Sequence, residues 1–580
     1  MPLLSPGHDN RSAAHGPDAA AGASWRVLRG MVAARPMSAS PAAEARPREV
    51  LPRWCIALFW IGIVALYVGL RSACLEADAP RRLAHGNLNT ELIVEPVAKA
   101  HEARNWAMTG SFKTNPADNY QFWRPQSPFW VYPLAGAFRV FGTTYATLRM
   151  TATLFGLVGL LGVILIAHKR WGPSGAVMAG IFLATDNVGI AFGRSGLLEP
   201  IVAAWLVVAL YMLDRAFDHV AWLIPAMLLT VLALGTKLAA LPALPVFLFY
   251  GVWVLRRPAG VGSPRAWRIG LVALGLSIGV GLAAYASTAE FQRTLAWNFR
   301  HMVLAQEGGT AFDFDSVDPT EIGPGLAQIP MRLRLFWFAF SAMGLLGLAE
   351  AILRVRELFR RRITARDFLP AAMFFSFAIA IYGGTVFGYR FVLLLGPPLL
   401  LLAVDLVHRV AARIRDKRGA VMERRSLLAA TGLYAVLHLG AWGYSLSRRT
   451  YEVQEAAQLL QSAIGDRDDA VCIGLWSAPI AFETTCTHYY VKSTFNSTKE
   501  QLVALKPTHL IFLDEKDDTL FTLKRRWPEL LAAAIPVARF EIRTFGLELL
   551  RVGDMTPKDP APGPKKKKKK KRPADADKEP

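Results

Sequence analysis

"LNTELIVEPVAKAHEARNWAMTGSFKTNPADNYQFWRPQSPFW", residues 88–130, separates the first two runs hydrophobic enough to cross a bilayer. A polar stretch in that place is a long loop on one membrane face, and its reading orders the rest of the chain. Its first half has helical periodicity, with Glu91, Glu95 and Lys99 four apart on one face. It then breaks into aromatic- and proline-rich chain ending in "WRPQSPFW" (123–130). Loops of this length between spanning helices carry function more often than mere connection. Chemistry is therefore expected here.

Working outward, the chain has 580 residues, 53% hydrophobic and 19% charged, with a mean hydropathy of +0.28. Apolar runs near span length recur from Trp54 to Leu446, which indicates an α-helical polytopic membrane protein. Spans are expected near 54–70, 149–167, 174–192, 200–214, 220–235, 238–255, 269–288, 335–353, 368–387, 391–407 and 427–446, about eleven transmembrane helices. Basic loops ("HKR" 168–170, "RR" 256–257, "RVRELFRRR" 354–362, "RVAARIRDKR" 409–418) alternate with loops holding single cations, Arg194, Lys237 and Arg390. The positive-inside rule then puts the N-terminus in the cytoplasm and the 88–130 loop outside. An odd number of spans puts everything after Leu446 outside as well.

The expected organisation is a disordered N-terminus (1–50) and a transmembrane domain (51–447). The latter holds a first outer loop (71–148) and a second (289–334). An α/β domain (448–552) and a disordered lysine-rich tail (553–580) follow. In the α/β domain "DAVCIGLW" and "THLIFLD" read as buried strands, "TKEQLVAL" and "DTLFTLKRRWPELLAAA" as helices, and "VARFEIRTFGLELLRV" as a hairpin. It has no glycine-rich phosphate loop. The net charge of +21 reflects short loops and seven consecutive lysines, 565–571, so nucleic-acid binding is not expected. Of four cysteines, Cys472 and Cys486 share the last domain and would pair only outside the cytosol. No cluster has metal-ligand spacing.

Arg194 and Glu199 lie in "GRSGLLEP" (193–200), Lys237 in "LGTKLAALP" (234–242), and Arg390 in "GYRFVLLLGPPLLLL" (388–402). A cation at membrane depth costs a few kcal/mol unless paired or hydrated. Each is either a snorkelling anchor or part of a site for an anion at the outer leaflet, such as a lipid phosphate. Glu95 either pairs with Lys99 or serves as a general base toward an acceptor hydroxyl, with Glu91 the alternate one turn earlier. Glu199 orients a sugar, balances Arg194, or caps a helix. The D-x-D pattern in "FDFDSVDPTE" (312–321) falls on the second outer loop and reads as a solvated acidic stretch. Asn496-Ser497-Thr498 matches an N-glycosylation acceptor.

In this order, "TGSF" (109–112), "RPQSPFW" (124–130), "FGTTYATLR" (141–149), "GRSGLLEP", "LALGTKLAALPALP" (232–245) and "YRFVLLLGPPLLLL" (389–402) look like a known family. Over about 54–446 the chain resembles the polyprenyl-phosphate-sugar-dependent glycosyltransferases of the GT-C fold. These include the dolichyl-phosphate-mannose protein mannosyltransferases (glycosyltransferase family 39) and the bacterial lipid A aminoarabinose transferase. Aligning Gly110-Ser111-Phe112 with the family's Gly-Asp-Trp puts Glu95 at the first-loop catalytic aspartate. The chain departs there, with Glu for Asp and Pro96 where a second acid usually follows. Arg124-Pro125 resembles the family's Lys-Pro at the donor entrance, and Arg194, Lys237 and Arg390 match positions associated with the lipid phosphate.

The resemblance implies an inner-membrane enzyme with a periplasmic C-terminal domain and no metal or other cofactor. Its partners would be a polyprenyl-phosphate-linked sugar donor, a hydroxyl acceptor (lipid, glycan or protein) and the bilayer. Two other readings stay open: a transporter or flippase lined by the charged helix ends, and a non-catalytic relative.

Overall fold

Arg53–Ser72 form α1, a 20-residue apolar helix. The computed structural model describes residues 53–79, 88–120, 127–256, 263–287, 329–383, 389–465, 467, 469–492, 495–513, 517–543 and 545–553. At 53–56, 88–91, 284–287, 329–342, 382–383 and 389–390 it describes the backbone alone. Arg124 and the acidic stretch 312–321 lie outside the described residues.

The 88–130 loop yields two helices, α2 (Leu88–Thr109) and α3 (Pro128–Phe141). Next comes α4 (Tyr145–Thr185), 41 residues long and kinked where Gly172 takes φ 71° ahead of Pro173. Asp186 ends it and caps α5 (Asn187–Gly193) by accepting from the Gly189 amide at 2.9 Å. A bend of 111° leads into α6 (Leu198–Ala216). α4 and α6 touch through small residues: a Cβ added to Gly159 would lie 3.1 Å from the Ala204 Cβ, and one on Gly162 2.8 Å from Val207.

The remaining membrane-domain helices are α7 (Leu223–Thr236), α8 (Ala243–Leu255), α9 (Pro264–Ser287), α10 (Ile329–Phe359), α11 (Ala365–Gly383), α12 (Gly396–Arg418) and α13 (Ala420–Ser447). Each predicted apolar run overlaps at least one α-helix within the described residues, though those at 220–235, 238–255 and 391–407 begin on short 3-10 turns and 174–192 is divided at Asp186. Among those residues four segments are long and apolar enough to cross a bilayer: Tyr145–Thr185, Pro264–Ala283, Phe391–Arg418 and Ala420–Ile464, or five if the α5–α6 pair is one span. α7 and α8, at 14 and 13 residues, are two short limbs around the Lys237 turn.

The two ends of the bundle differ. One end carries a lattice of ion pairs. Lys169, Arg170 and Arg366 meet Asp214, and Arg354 and Arg409 share Glu350. The other end carries α2, α3 and the C-terminal domain.

That domain begins with α14 (Glu452–Ile464). Its sheet has strand order β2-β1-β3-β5-β4, built from β1 (Val471–Ile473), β2 (Thr487–Tyr489), β3 (His509–Leu513), β4 (Ala534–Ile542) and β5 (Phe545–Val552). β2, β1 and β3 are parallel and β5 and β4 close as an antiparallel hairpin, so the sheet is mixed. The predicted second helix is broken at Trp527-Pro528 into Asp518–Arg526 and Pro528–Ala532. Only glycine fits at 474, where φ is 139° and a Cβ would lie 2.0 Å from the Ile511 carbonyl oxygen. Sheets of this kind open a ligand crevice at the carboxyl ends of their parallel strands. Here Thr519 staples that edge shut, its hydroxyl donating to the Val491 carbonyl and accepting from the Leu475 amide.

Candidate functional site

Five segments singled out in the sequence converge at the end that carries α2. Pro96 of α2 sits over the α5–α6 turn, where Gly196 has φ 89° and an added Cβ would come within 3.4 Å of Pro96. Leu92 and Leu197 are buried in one apolar cluster with Phe192 and Trp442, and Leu393 packs against it. The Ser127 hydroxyl, at the foot of α3, donates to the Thr236 carbonyl, so the "RPQSPFW" segment ends beside Lys237. Lys237 is extended (φ −162°, ψ 136°) and interrupts the helix between α7 and the next turn. Its ammonium lies 2.6 Å from Glu199 Oε1 and 5.2 Å from the centre of the Phe391 ring. Phe391 follows Arg390 directly, so the last of the cationic segments arrives at the same place.

The acids divide by environment. Glu199, in the first turn of α6, is fully buried and balances Lys237 rather than Arg194. Glu95 forms an ion pair with Lys99 on α2, as the spacing allowed; the carboxylate side chain is 25% exposed and the lysine 1%. The backbone of Glu91 is helical one turn earlier, and its side chain, like that of Arg390, lies outside the description.

Arg194 is placed differently from the expectation of a phosphate ligand. Its guanidinium donates to the carbonyls of Arg71, Ala73 and Cys74, at the end of α1 and just beyond it, and its carbon lies 5.5 Å from the Trp442 ring centre. Arg71 lies in the last turn of α1, whose carbonyls have no helical donors, so Arg194 caps the end of α1 and ties down the two residues beyond it. Among the described residues no group of three or more His, Cys, Asp or Glu is placed to hold a metal.

A second polar centre joins α2 to the C-terminal domain, and the sequence reading missed it. Arg104 is 1% exposed, and donates to the carbonyls of Ala481, Phe482, Thr484 and Cys486 at 2.8–3.0 Å. Burial lowers its pKa to about 10, which leaves it charged at neutral pH. One turn back, His101 Nε2 is 3.1 Å from Asp118 Oδ2 and its Nδ1 is 3.2 Å from His488 Nε2. The Asn496 amide donates to Asp118 Oδ1 and to the Tyr490 carbonyl, and Asn496 is fully buried, so the glycosylation pattern is structural. Asp78 fastens the same domain at its start, accepting from the Thr450 hydroxyl and the Glu452 amide. Cys472 and Cys486 are buried free thiols. Local pattern gave no signal for this interface, because Arg104 shares the face of α2 opposite Glu95 with the apolar Ile93, Val97 and Ala100.

Burial, helped by the Arg104 and His101 charges, holds the His488 imidazole well below the ordinary histidine value. The unfolded chain therefore takes up that proton first. His488 contributes stability in full above about pH 6.5, and the contribution is lost as pH falls below that value. Asp118 is held below its ordinary value, with burial opposed by hydrogen bonds from His101 and Asn496, so its contribution is lost only in stronger acid. The melting temperature of the purified protein should drop between pH 7 and 5, corresponding to about 1–2 kcal/mol. His488→Asn should flatten that drop. An equal drop in the variant would assign the effect elsewhere.

No protein-family model matches the sequence, and no curated protein matches it. Solved structures do match. The crystal structure of ArnT from Cupriavidus metallidurans in the apo state superposes with TM-score 0.55 at 14% identity, covering 86% of this chain and 98% of that one. The same enzyme bound to undecaprenyl phosphate gives 0.52 over the same spans at 14% identity. This chain has that fold, the GT-C fold of polytopic membrane proteins. An oligosaccharyltransferase from Archaeoglobus fulgidus matches at TM-score 0.46 and 13% identity, over 78% of this chain and 67% of that one.

Proposed function

We propose that this protein is a membrane glycosyltransferase that moves a sugar from a polyprenyl-phosphate carrier to a hydroxyl acceptor at the extracytoplasmic face. The observation that carries the reading is the convergence of an accessible carboxylate, Glu95, and a buried cation, Lys237, at one end of the bundle. The shared fold with ArnT, solved with undecaprenyl phosphate, supports a donor of that class. Basic loops at the opposite end support a cytoplasmic location for that end and a periplasmic one for the site.

In this mechanism Glu95 accepts the proton of the acceptor hydroxyl as its oxygen attacks the anomeric carbon. The bond from that carbon to the phosphate oxygen breaks, its electrons remain on the phosphate, and the anomeric centre inverts. Lys237, with Arg390 and Arg124, stabilises the charge that develops on the departing phosphate. Lys237 meets the phosphate while Glu199 fixes its position. Arg194 acts through structure, holding the end of α1 beside the site.

The test is turnover in proteoliposomes, using undecaprenyl-phosphate-linked hexoses and pentoses as donors and envelope extract as acceptor, and following release of undecaprenyl phosphate. Glu95→Gln should lose about 10²–10⁴-fold, the range for a general base, and Glu91→Gln should stay near wild type. Wild-type rates in both variants would contradict the assignment.

A further inference from the structure

An exposed i,i+4 glutamate–lysine pair contributes only a few tenths of a kcal/mol, because water competes at both ends. The pair on α2 is not of that kind. Lys99 is 1% exposed and Glu95 25%, so the carboxylate is partly exposed while the ammonium is sealed in the protein. A buried lysine tends to shed its charge unless an acid holds it. The arrangement also restrains a side chain with three rotatable bonds by holding one carboxylate oxygen on the lysine. Tyr490 of the C-terminal domain is electrostatically coupled to Glu95. The turn that approaches Pro96 carries Arg194, whose guanidinium is spent on the carbonyls of Arg71, Ala73 and Cys74.

From this geometry we infer that Lys99 is the positioning residue for the reaction, holding Glu95 charged and aimed at the acceptor hydroxyl. The inference rests on the proposed role of Glu95 as the base and adds the residue that prepares it. Lys99 touches no reacting atom. It acts by favouring the ionised carboxylate, which keeps the base competent at mildly acidic pH, and by narrowing its rotamers.

The test has two arms on the full-length protein in proteoliposomes. In the first, a water-soluble carbodiimide with an amine nucleophile labels protonated carboxyls, and the extent at Glu95 is read by peptide mass spectrometry from pH 4 to 9. Loss of an adjacent opposite charge raises a carboxyl pKa by about 1 to 3 units. The labelling midpoint should therefore rise by that amount in Lys99→Met and Lys99→Gln and stay near wild type in Lys99→Arg. Two neutral replacements separate lost charge from lost packing, and a melting curve confirms that each is folded. In the second arm, the acid limb of the turnover profile with the undecaprenyl-phosphate-sugar panel should move by the same amount and be restored by Lys99→Arg. An unmoved midpoint in both neutral variants, with Glu95→Gln inactive, overturns this inference and leaves the base assignment standing. Full turnover in Glu95→Gln overturns both.

Discussion

Arg104→Ala is expected to undock the C-terminal domain from α2. Four carbonyls between 481 and 486 converge on one guanidinium that is 1% exposed, and nothing small can replace it. Removal takes the guanidinium from the Phe482, Thr484 and Cys486 carbonyls, while Ala481 keeps the Thr484 amide and hydroxyl, and with the loss of a charge-assisted network the cost is about 3–5 kcal/mol. Lysine should not rescue, because one ammonium cannot reproduce the planar fork that spans these oxygens. The same helix carries Glu95 nine residues earlier, so turnover should fall together with stability. Limited proteolysis reads the outcome directly. Cleavage near 448–452, where Asp78 fastens the start of the domain, should accelerate in Arg104→Ala; unchanged proteolysis and melting would mean the domain is held by other contacts.

The second large effect is at Glu199 and Lys237. Glu199 is fully buried and Lys237 nearly so, at 2.6 Å. Breaking such a pair from one side leaves an uncompensated charge and costs about 3–5 kcal/mol, whereas removing both charges is close to neutral. Glu199→Met and Lys237→Met should each lower the melting temperature sharply, and the double variant should recover most of the loss. Activity should follow a different rule. The double variant, although folded, lacks the cation assigned to the lipid phosphate and should remain inactive. Recovery of both properties would make the pair a purely structural lock.

The two kinds of information were unequally legible in the sequence. Long apolar runs and their basic loops carry the bundle, because a bilayer imposes span length and charge asymmetry on any sequence. The hairpin at 534–552 and the strand at 509–513 were legible from alternation and β-branched content. β2, three residues in "THYY", was not, since it lacks the continuous apolar run that marks the equally short β1 in "DAVCIGLW". At the site, the Glu95–Lys99 pair follows from helical spacing alone. The Glu199–Lys237 pair joins residues 38 apart, from the start of α6 to the end of α7, which no local pattern encodes. Arg194 looked like a ligand because it is a lone cation at a turn; its carbonyl partners lie more than 100 residues earlier. The Arg104 and His101 contacts likewise need the C-terminal domain in place, some 380 residues on.

The central claim is that Lys237 meets the phosphate of a polyprenyl lipid at the end of the bundle that carries Glu95. Native mass spectrometry of the protein incubated with undecaprenyl phosphate measures this without knowledge of the sugar or the acceptor. Wild type should retain the lipid, and the folded Glu199→Met/Lys237→Met double variant should bind at least about tenfold more weakly, the loss of one charge-assisted phosphate contact. Equal retention by the two proteins would contradict it.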